Sequence, residues 1–158
     1  MNTSDLFEAI ISKDFEKVKL LLENGANVNI RNKHNDVPLF HAIIHENYEM
    51  VKLLLDYKAE VNAVGRFGYT PLFYATRFNN IKIIKLLLEN GADVNIITNC
   101  GYTPVFNAVL NKDIEAVELL LEYGAKVDIP NINNETPLSV AIERYNGSKM
   151  VELLLGNN

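Results

Sequence analysis

The sequence lacks most features that mark a secreted, membrane-bound or nucleic-acid-binding protein. Its 158 residues include no tryptophan and a single cysteine, Cys100, so no disulfide can form within the chain. The formal net charge of −5 argues against a surface for nucleic acid or anionic lipid, because such a surface needs excess lysine and arginine. No apolar run approaches the roughly 20 residues that cross a bilayer.

The first residues also lack the features of a secretory leader. The segment from Met1 to Asp5 has no basic residue, and no apolar core follows it. Together with the single cysteine, this predicts a protein of the cytoplasm or the nucleus.

What the chain does contain is a block of residues that recurs every 33 positions. Thr70–Ala75 reads T-P-L-F-Y-A, and related blocks stand in the same register on both sides of it. These related blocks are Ser4–Ala9, Val37–Ala42, Thr103–Ala108 and Thr136–Ala141. A fixed period of this size indicates a solenoid of stacked units.

The unit has a clear local interpretation as two short helices. Thr70 is suited to cap the first helix, and Pro71 is suited to its first turn because no N–H is needed there. The second helix is predicted from Ile81 to Asn90, and Gly91 ends it in the left-handed region. An extended two-armed loop, residues 93 to 102, then leads to the next unit.

These blocks resemble the ankyrin repeat in their T-P-L-x-x-A and L-L-L-x-x-G-A-D-V-N segments, and the resemblance covers essentially the whole chain. It implies an all-α solenoid of helix-turn-helix units joined by β-hairpin-like loops. We therefore expect a single domain, residues 1–158. Its predicted units are residues 1–30 (an N-terminal cap), 31–63, 64–96, 97–129 and 130–158.

The second unit departs most from the pattern. Val37 stands where the capping threonine is expected and offers no hydroxyl. Lys58 replaces the helix-ending glycine, and a residue with a Cβ loses roughly 1 kcal/mol in the left-handed region. We predict that this unit is the least well terminated.

Two further sets of positions repeat along the chain. The tips of the loops are predicted to share one turn geometry with positive φ, at Asn35, Gly68, Gly101 and Asn134. The family usually has histidine after T-P-L, but here the position holds Phe7, Phe40, Phe73, Phe106 and Ser139. We interpret these aromatics as core residues, and we expect Leu21, Leu54, Leu87 and Leu120 to be buried as well.

Asn29, Asn62 and Asn95 stand in V-N loop positions. They resemble the sites of asparaginyl hydroxylation in animal ankyrin repeats. The interpretation that we prefer is structural, with each asparagine serving the loop in which it lies.

The last unit has a helix connection that is one residue longer, which a turn at Asn146-Gly147 is expected to absorb. Two interpretations of its outer side stay open. Either it is a polar cap, formed by Glu143, Arg144, Lys149 and Glu152, or the chain belongs to a longer protein.

Residues that carry chemistry do not form a recognisable set. His41 and His45 lie four residues apart on one predicted helix, but no third metal ligand stands at a matched position. Cys100 lacks a base within reach, because the histidines belong two units earlier. The glycines follow no phosphate-binding pattern, and no carboxylate pair is singled out. We expect no catalytic site, no metal and no cofactor.

Stacked units create a concave face, on which we expect a partner to bind. In ankyrin-like arrays the loop tips and the exposed side of each first helix line it. The tip positions are Lys33, His34, Asp36, Arg66, Phe67, Tyr69, Asn99, Cys100, Tyr102, Ile132, Asn133 and Glu135. The helix positions are His41, Ile44, His45, Tyr74, Arg77, Phe78, Asn107, Leu110, Asn111, Glu143 and Arg144.

The third unit concentrates large aromatic side chains and arginine at these positions, where the solenoid needs neither. Such residues are the usual energetic anchors of interfaces. The residues predicted to bind a partner are Arg66, Phe67, Tyr69, Tyr74, Arg77 and Phe78, together with Tyr102, His41 and His45. The alternative is that Phe67 and Tyr74 only pack on neighbouring tips.

The resemblance implies a non-catalytic protein–protein interaction module, monomeric, that serves as an adaptor, scaffold or inhibitor. An alternative is the recognition domain of a larger enzyme or host-modulating effector whose catalytic or adaptor region is absent. An independent enzyme would need a convergent polar pocket, and a fourth hypothesis is a peptide or small ligand bound by the aromatic patch. The abundance of Asn, Ile, Lys and Tyr is typical of an AT-rich genome, which favours a host-interaction role.

Overall fold

The computed structural model describes residues 3–145 and 148–156. Within these residues the chain forms ten α-helices and no β-strand. The helices are α1 (Thr3–Ile11), α2 (Phe15–Glu23), α3 (Pro38–Ile44), α4 (Tyr48–Asp56), α5 (Pro71–Arg77), α6 (Ile81–Glu89), α7 (Pro104–Leu110), α8 (Ile114–Glu122), α9 (Pro137–Tyr145) and α10 (Lys149–Leu155). None of the helices in this described part is long and apolar enough to span a membrane.

The helices are arranged as two stacks. The first helices α1, α3, α5, α7 and α9 pack on one another in chain order, and α4, α6, α8 and α10 do the same. Each first helix also packs on the second helix that follows it. The predicted all-α solenoid is therefore confirmed, whereas the exact division into five units stays a prediction.

Side-chain caps explain where the helices begin. The Thr70 and Thr103 hydroxyls accept hydrogen bonds from the backbone N–H groups of Phe73 and Phe106, both at 3.2 Å. Val37, at the same position before α3, makes no side-chain cap. The predicted cap at Thr70 and its absence at Val37 are both confirmed. Asp14, Asn47, Asn80 and Asp113 cap the second helices in the same way.

Residues in the left-handed region explain where the second helices end. Gly25, Gly91 and Gly124 follow α2, α6 and α8 with φ between 82° and 84°. Lys58 follows α4 with φ of 67°, so the prediction that it adopts this unfavourable conformation is confirmed. The four predicted tip residues, Asn35, Gly68, Gly101 and Asn134, also have positive φ.

The core runs continuously through the stack. Phe7, Phe40, Phe73 and Phe106 are buried, as predicted, while Ser139 in the last unit is exposed. Of the leucines expected in the core, Leu54, Leu87 and Leu120 are fully buried and Leu21 is half-buried.

The outward side of the last described unit carries apolar side chains as well as charged ones. Glu143, Arg144, Lys149 and Glu152 are all exposed, but Lys149 pairs with Glu118 of α8 in the preceding unit. Ile142 and Leu155 are also 43% and 53% exposed, although their counterparts Val109 and Leu121 are 0% and 9% exposed. The predicted turn at Asn146-Gly147 lies outside the described residues.

Candidate functional site

A groove lies between the tips and first helices of the third and fourth units, at positions that the register assigns to the concave face. Its volume is about 320 Å³, near the lower end of the range for binding pockets. The residues that line it are Phe67, Tyr69, Phe73, Arg77, Thr98, Cys100, Tyr102, Asn107 and Leu110. We call this feature the central groove.

Aromatic rings form two walls of the central groove. On the third unit, Tyr69 stacks on Phe73 with ring centroids 4.7 Å apart. The Phe67 ring lies beside Tyr69, with their centroids 5.9 Å apart. On the fourth unit, Tyr102 meets the edge of Phe106 at 4.8 Å. Because Phe73 and Phe106 belong to the buried ladder, the core fixes the position of both tyrosines.

Phe67 is the most unusual residue of the groove. Its side chain is 54% exposed, and its backbone is left-handed, with φ of 62° and ψ of 15°. A bulky residue in this region is a conformational outlier that costs of the order of 1–2 kcal/mol. The equivalent residues of the neighbouring tips, His34, Cys100 and Asn133, do not have positive φ.

The absence of a side chain at Gly65 accounts for this conformation. At the equivalent positions, Asn32 and Asn131 each accept two backbone N–H groups of their own tip. Gly65 has no such acceptor, and the N–H of Tyr69 instead donates to the carbonyl of Arg66 at 3.3 Å, in a short 3₁₀ turn, Arg66–Gly68.

Gly65 cannot readily be replaced, because the Phe40 ring occupies the space beside it. A Cβ on Gly65 would lie 2.4 Å from Phe40 Cε2. Phe40 of the second unit therefore accounts for the glycine at position 65. Because that glycine lacks a side-chain acceptor, Phe40 also accounts for the turn that exposes Phe67.

Main-chain hydrogen bonds connect successive tips. The N–H of Asn99 donates to the carbonyl of Phe67 at 2.9 Å, and the N–H of Ile132 donates to that of Cys100 at 3.1 Å. The tips approach so closely that a Cβ on Gly68 would lie 2.7 Å from Asn99 Oδ1. The spacing of these tips is thus set by the backbone.

Two arginines flank the aromatic walls. Arg77, the last residue of α5, lines the groove, and the guanidinium of Arg66 lies 4.6 Å from the centroid of the Phe67 ring. Within the described residues neither arginine forms an ion pair, whereas Arg31 pairs with Glu60 at 3.7 Å. The lining contains no aspartate or glutamate.

The structure separates the nine predicted residues into groups. Phe67, Tyr69, Arg77 and Tyr102 line the central groove, and Arg66 lies at its rim. Phe78 is 38% exposed after the end of α5 and does not line it. His41 and His45 lie on or next to α3, one unit earlier, and are not part of it.

Tyr74 lies behind the groove and has a packing environment. Its ring meets Tyr69 edge-on at 5.4 Å and Phe40 at 5.2 Å. Burial raises the pKa of its hydroxyl, and the nearby Asp36 carboxylate raises it further, while Arg77 lowers it. Tyr74 thus packs between Phe40 of the second unit and Tyr69, and so supports the position of Tyr69.

His41 has a similar environment. Its ring meets Phe7 edge-on at 5.2 Å. Its buried Nε2 has no hydrogen-bond partner among the described residues, and Asp36 Oδ2 is 3.9 Å away. Burial lowers the pKa of His41, and Asp36 opposes this effect. The residues that the structure describes contain no cluster of three His, Cys, Asp or Glu suited to hold a metal ion.

Five lining residues were not among the nine predicted ones. The register assigns Cys100, Asn107 and Leu110 to the concave face, but nothing in their residue types singles them out. Phe73 is predicted only as a core residue, but it also lines the groove, where Tyr69 stacks on its ring. Nothing in the sequence indicated that Thr98 would line the groove, because it lies just before the predicted tip residues.

Comparison with known proteins agrees with the pattern of units. A family model described as "Ankyrin repeats (3 copies)" matches residues 6–98. A second, described as "Ankyrin repeats (many copies)", matches residues 77–121, so the two matches overlap over residues 77–98. A comparison with curated proteins gives no match.

Proposed function

The chain belongs to the ankyrin-repeat family, and from this premise we propose that it binds a partner protein through the central groove. Ankyrin repeats are generally protein–protein interaction modules and are typically non-catalytic. The protein then acts as an adaptor, scaffold or inhibitor whose effect follows from the partner that it holds.

The conformation of Phe67 is the observation that carries this proposal. An exposed phenylalanine contributes little to the fold, and this one also occupies an unfavourable backbone region. Backbone strain of this kind is concentrated at functional sites, where the surrounding structure holds the strained residue in place. Tyr69, Tyr102 and Arg77 beside it are residue types enriched among interface anchors.

Packing alone is a poor explanation for this cluster. Tyr74 is half-buried against two rings and is accounted for by the fold. Phe67 contacts Tyr69 and the Arg66 guanidinium but leaves more than half of its surface in solvent. The proposal therefore assigns recognition to Phe67, Tyr69, Arg77 and Tyr102, and a supporting role to Tyr74.

The variant Phe67→Asn separates recognition from packing. Asparagine tolerates positive φ better than phenylalanine does, so we expect the folded state to be as stable as the wild type or up to about 1 kcal/mol more stable. Affinity for the partner should nevertheless fall at least about tenfold, since an aromatic anchor is lost. The partner is first cross-linked to the wild-type chain and captured with it. The partner is then titrated against each purified variant.

Val64→Asn is the matched control. Val64 precedes the same tip, is 46% exposed and does not line the groove, so its replacement removes an exposed apolar side chain of the same loop. If Phe67→Asn binds the captured partner as tightly as the wild type does, this groove is not the binding site. A large loss of stability in Phe67→Asn would instead support the packing explanation.

A further inference from the structure

We propose that the segment bound in the central groove is acidic and hydrophobic: one large apolar side chain enters the groove, and carboxylates beside it meet the two arginines. This inference rests on the proposed function and adds the chemistry of the partner to it. It follows from the shape, the apolar lining and the charge of the groove taken together.

The apolar part of the groove fits a side chain rather than a whole domain. Phe67, Tyr69, Tyr102 and Leu110 provide apolar surface on both sides, and the volume is about 320 Å³. An aromatic or branched aliphatic side chain that enters it loses its contact with water and gains contacts with the rings.

The charge of the groove is opposite to that of the protein as a whole. The chain has 20 acidic and 15 basic residues, yet the lining contains one arginine and no carboxylate, with a second arginine at the rim. Charges of both signs lie on the second helices, with Glu115 and Glu122 on α8 but Lys82 and Lys85 on α6. A partner that carries carboxylates is thus attracted to the two arginines of the groove.

The groups free to form hydrogen bonds also suit a carboxylate. Neither guanidinium is paired, and the hydroxyls of Tyr69 and Tyr102 have no hydrogen-bond partner among the described residues. All of these groups can donate to an anionic oxygen. The arginines stand singly, one on a tip and one at the end of α5, which suits separate singly charged carboxylates better than one phosphate group.

Labelled peptides of defined charge test the proposal. The first probe is a fluorescein-labelled peptide with a central phenylalanine flanked by glutamates. The others replace the glutamates by glutamine, by lysine or by a single phosphoserine in a glutamine background. We expect the glutamate peptide to bind at least about tenfold more tightly than the glutamine peptide in fluorescence anisotropy, and to weaken when salt is raised.

Two variants locate the charge effect. Arg77→Gln should weaken the glutamate peptide about tenfold and leave the glutamine peptide nearly unchanged. Lys85→Gln removes the same charge from α6 of the same unit, away from the groove, and should change neither. Binding should also slow the alkylation of Cys100, the only cysteine of the chain, because its side chain lines the groove.

The outcomes distinguish this inference from the proposed function. If the glutamine or lysine peptide binds as tightly as the glutamate peptide and protects Cys100, the groove binds peptides but the acidic preference is wrong. Tighter binding of the phosphoserine peptide would also overturn it. If no probe binds or protects Cys100, the inference fails, whereas the proposed function is decided separately by the Phe67→Asn titration.

Discussion

The side chain of Asn62 joins two successive units by bonding to Gly91. Its Nδ2 donates to the Gly91 carbonyl at 3.2 Å, and its Oδ1 accepts the backbone N–H of Asp93 at 2.8 Å. Asn29 and Asn95 form the same pair of bonds one unit before and one unit after. The structural interpretation of these asparagines is consistent with this arrangement.

We therefore predict that Asn62→Ala lowers the free energy of unfolding by about 1–2 kcal/mol, because two inter-unit hydrogen bonds are lost at a partly solvated site. Asp128, the equivalent residue one unit after Asn95, forms no hydrogen bond through its side chain within the described residues. Asp128→Ala should stay within about 0.5 kcal/mol of the wild type. Urea unfolding of the three proteins compares them, and equal losses would show that the asparagine bridge is not what stabilises the junction.

The second prediction concerns the end of α4. Lys58 has φ of 67°, so Lys58→Gly should raise the free energy of unfolding by about 1 kcal/mol. Gly91→Ala gives the reverse experiment, since a Cβ there meets nothing within 4 Å and only backbone strain is added. It should cost a similar amount in thermal or urea unfolding. If Lys58→Gly fails to stabilise the protein, strain at this position is not a measurable defect.

The third prediction concerns the missing cap of α3. Val37→Thr adds a hydroxyl in the position from which Thr70 and Thr103 accept a backbone N–H. We expect a gain of about 0.5–1 kcal/mol, because the cap bond is partly offset by burial of the hydroxyl. Thr103→Val is the opposite change in the same register and should cost about 1 kcal/mol or more. A loss of stability in Val37→Thr would contradict the capping argument.

The fourth prediction is a pH dependence due to His41. Burial lowers its pKa in the folded state below the value of 6.5 expected when unfolded. At pH values between the two pKa values, the unfolded chain binds more protons than the folded chain. Burial of neutral His41 therefore costs no stability above pH 6.5, and the free energy of unfolding falls as the pH decreases toward the folded pKa.

The free energy of unfolding of the wild type should thus fall more between about pH 8 and about pH 5.5 than that of His41→Gln. The control is His34→Gln, which removes an exposed imidazole and keeps His41. Equal slopes for the wild type and His41→Gln would show that His41 is not the group responsible.

The fifth prediction compares one substitution at two equivalent positions. Ile43 is fully buried against the next unit, whereas Ile142 is 43% exposed. Ile43→Ala should therefore cost about 2–5 kcal/mol, and Ile142→Ala about 1 kcal/mol or less. Similar losses would mean that Ile142 is covered in solution, which sedimentation could then examine.

The features that the sequence predicted well depend on short segments in a repeated register. Thr70 caps its helix and Gly91 ends its helix because each acts on atoms within about one turn of the chain. Lys58 could be assigned positive φ because glycine stands at the same position in the neighbouring units. The ladder of phenylalanines followed from the same register.

The details of the groove could not be predicted, because they depend on contacts between units. The turn that exposes Phe67 arises from the missing side chain at Gly65, and Phe40 of another unit occupies that space. Tyr74 and Phe67 are both large aromatics at concave positions, yet one packs and the other is exposed. Positive φ at Lys13, Glu46 and Lys112, between paired helices, was marked in the sequence only by Asn79, which stands at the same position of the third unit.

The hydrogen bonds from Asn99 to Phe67 and from Ile132 to Cys100 have a practical consequence for redesign. Since main-chain atoms determine how far apart these tips stand, exchanging the lining side chains should leave the width of the central groove intact, and under the proposed function it should change which partner is bound. A library randomised at positions 67, 77, 102 and 110 would then sample new specificities on an unaltered framework.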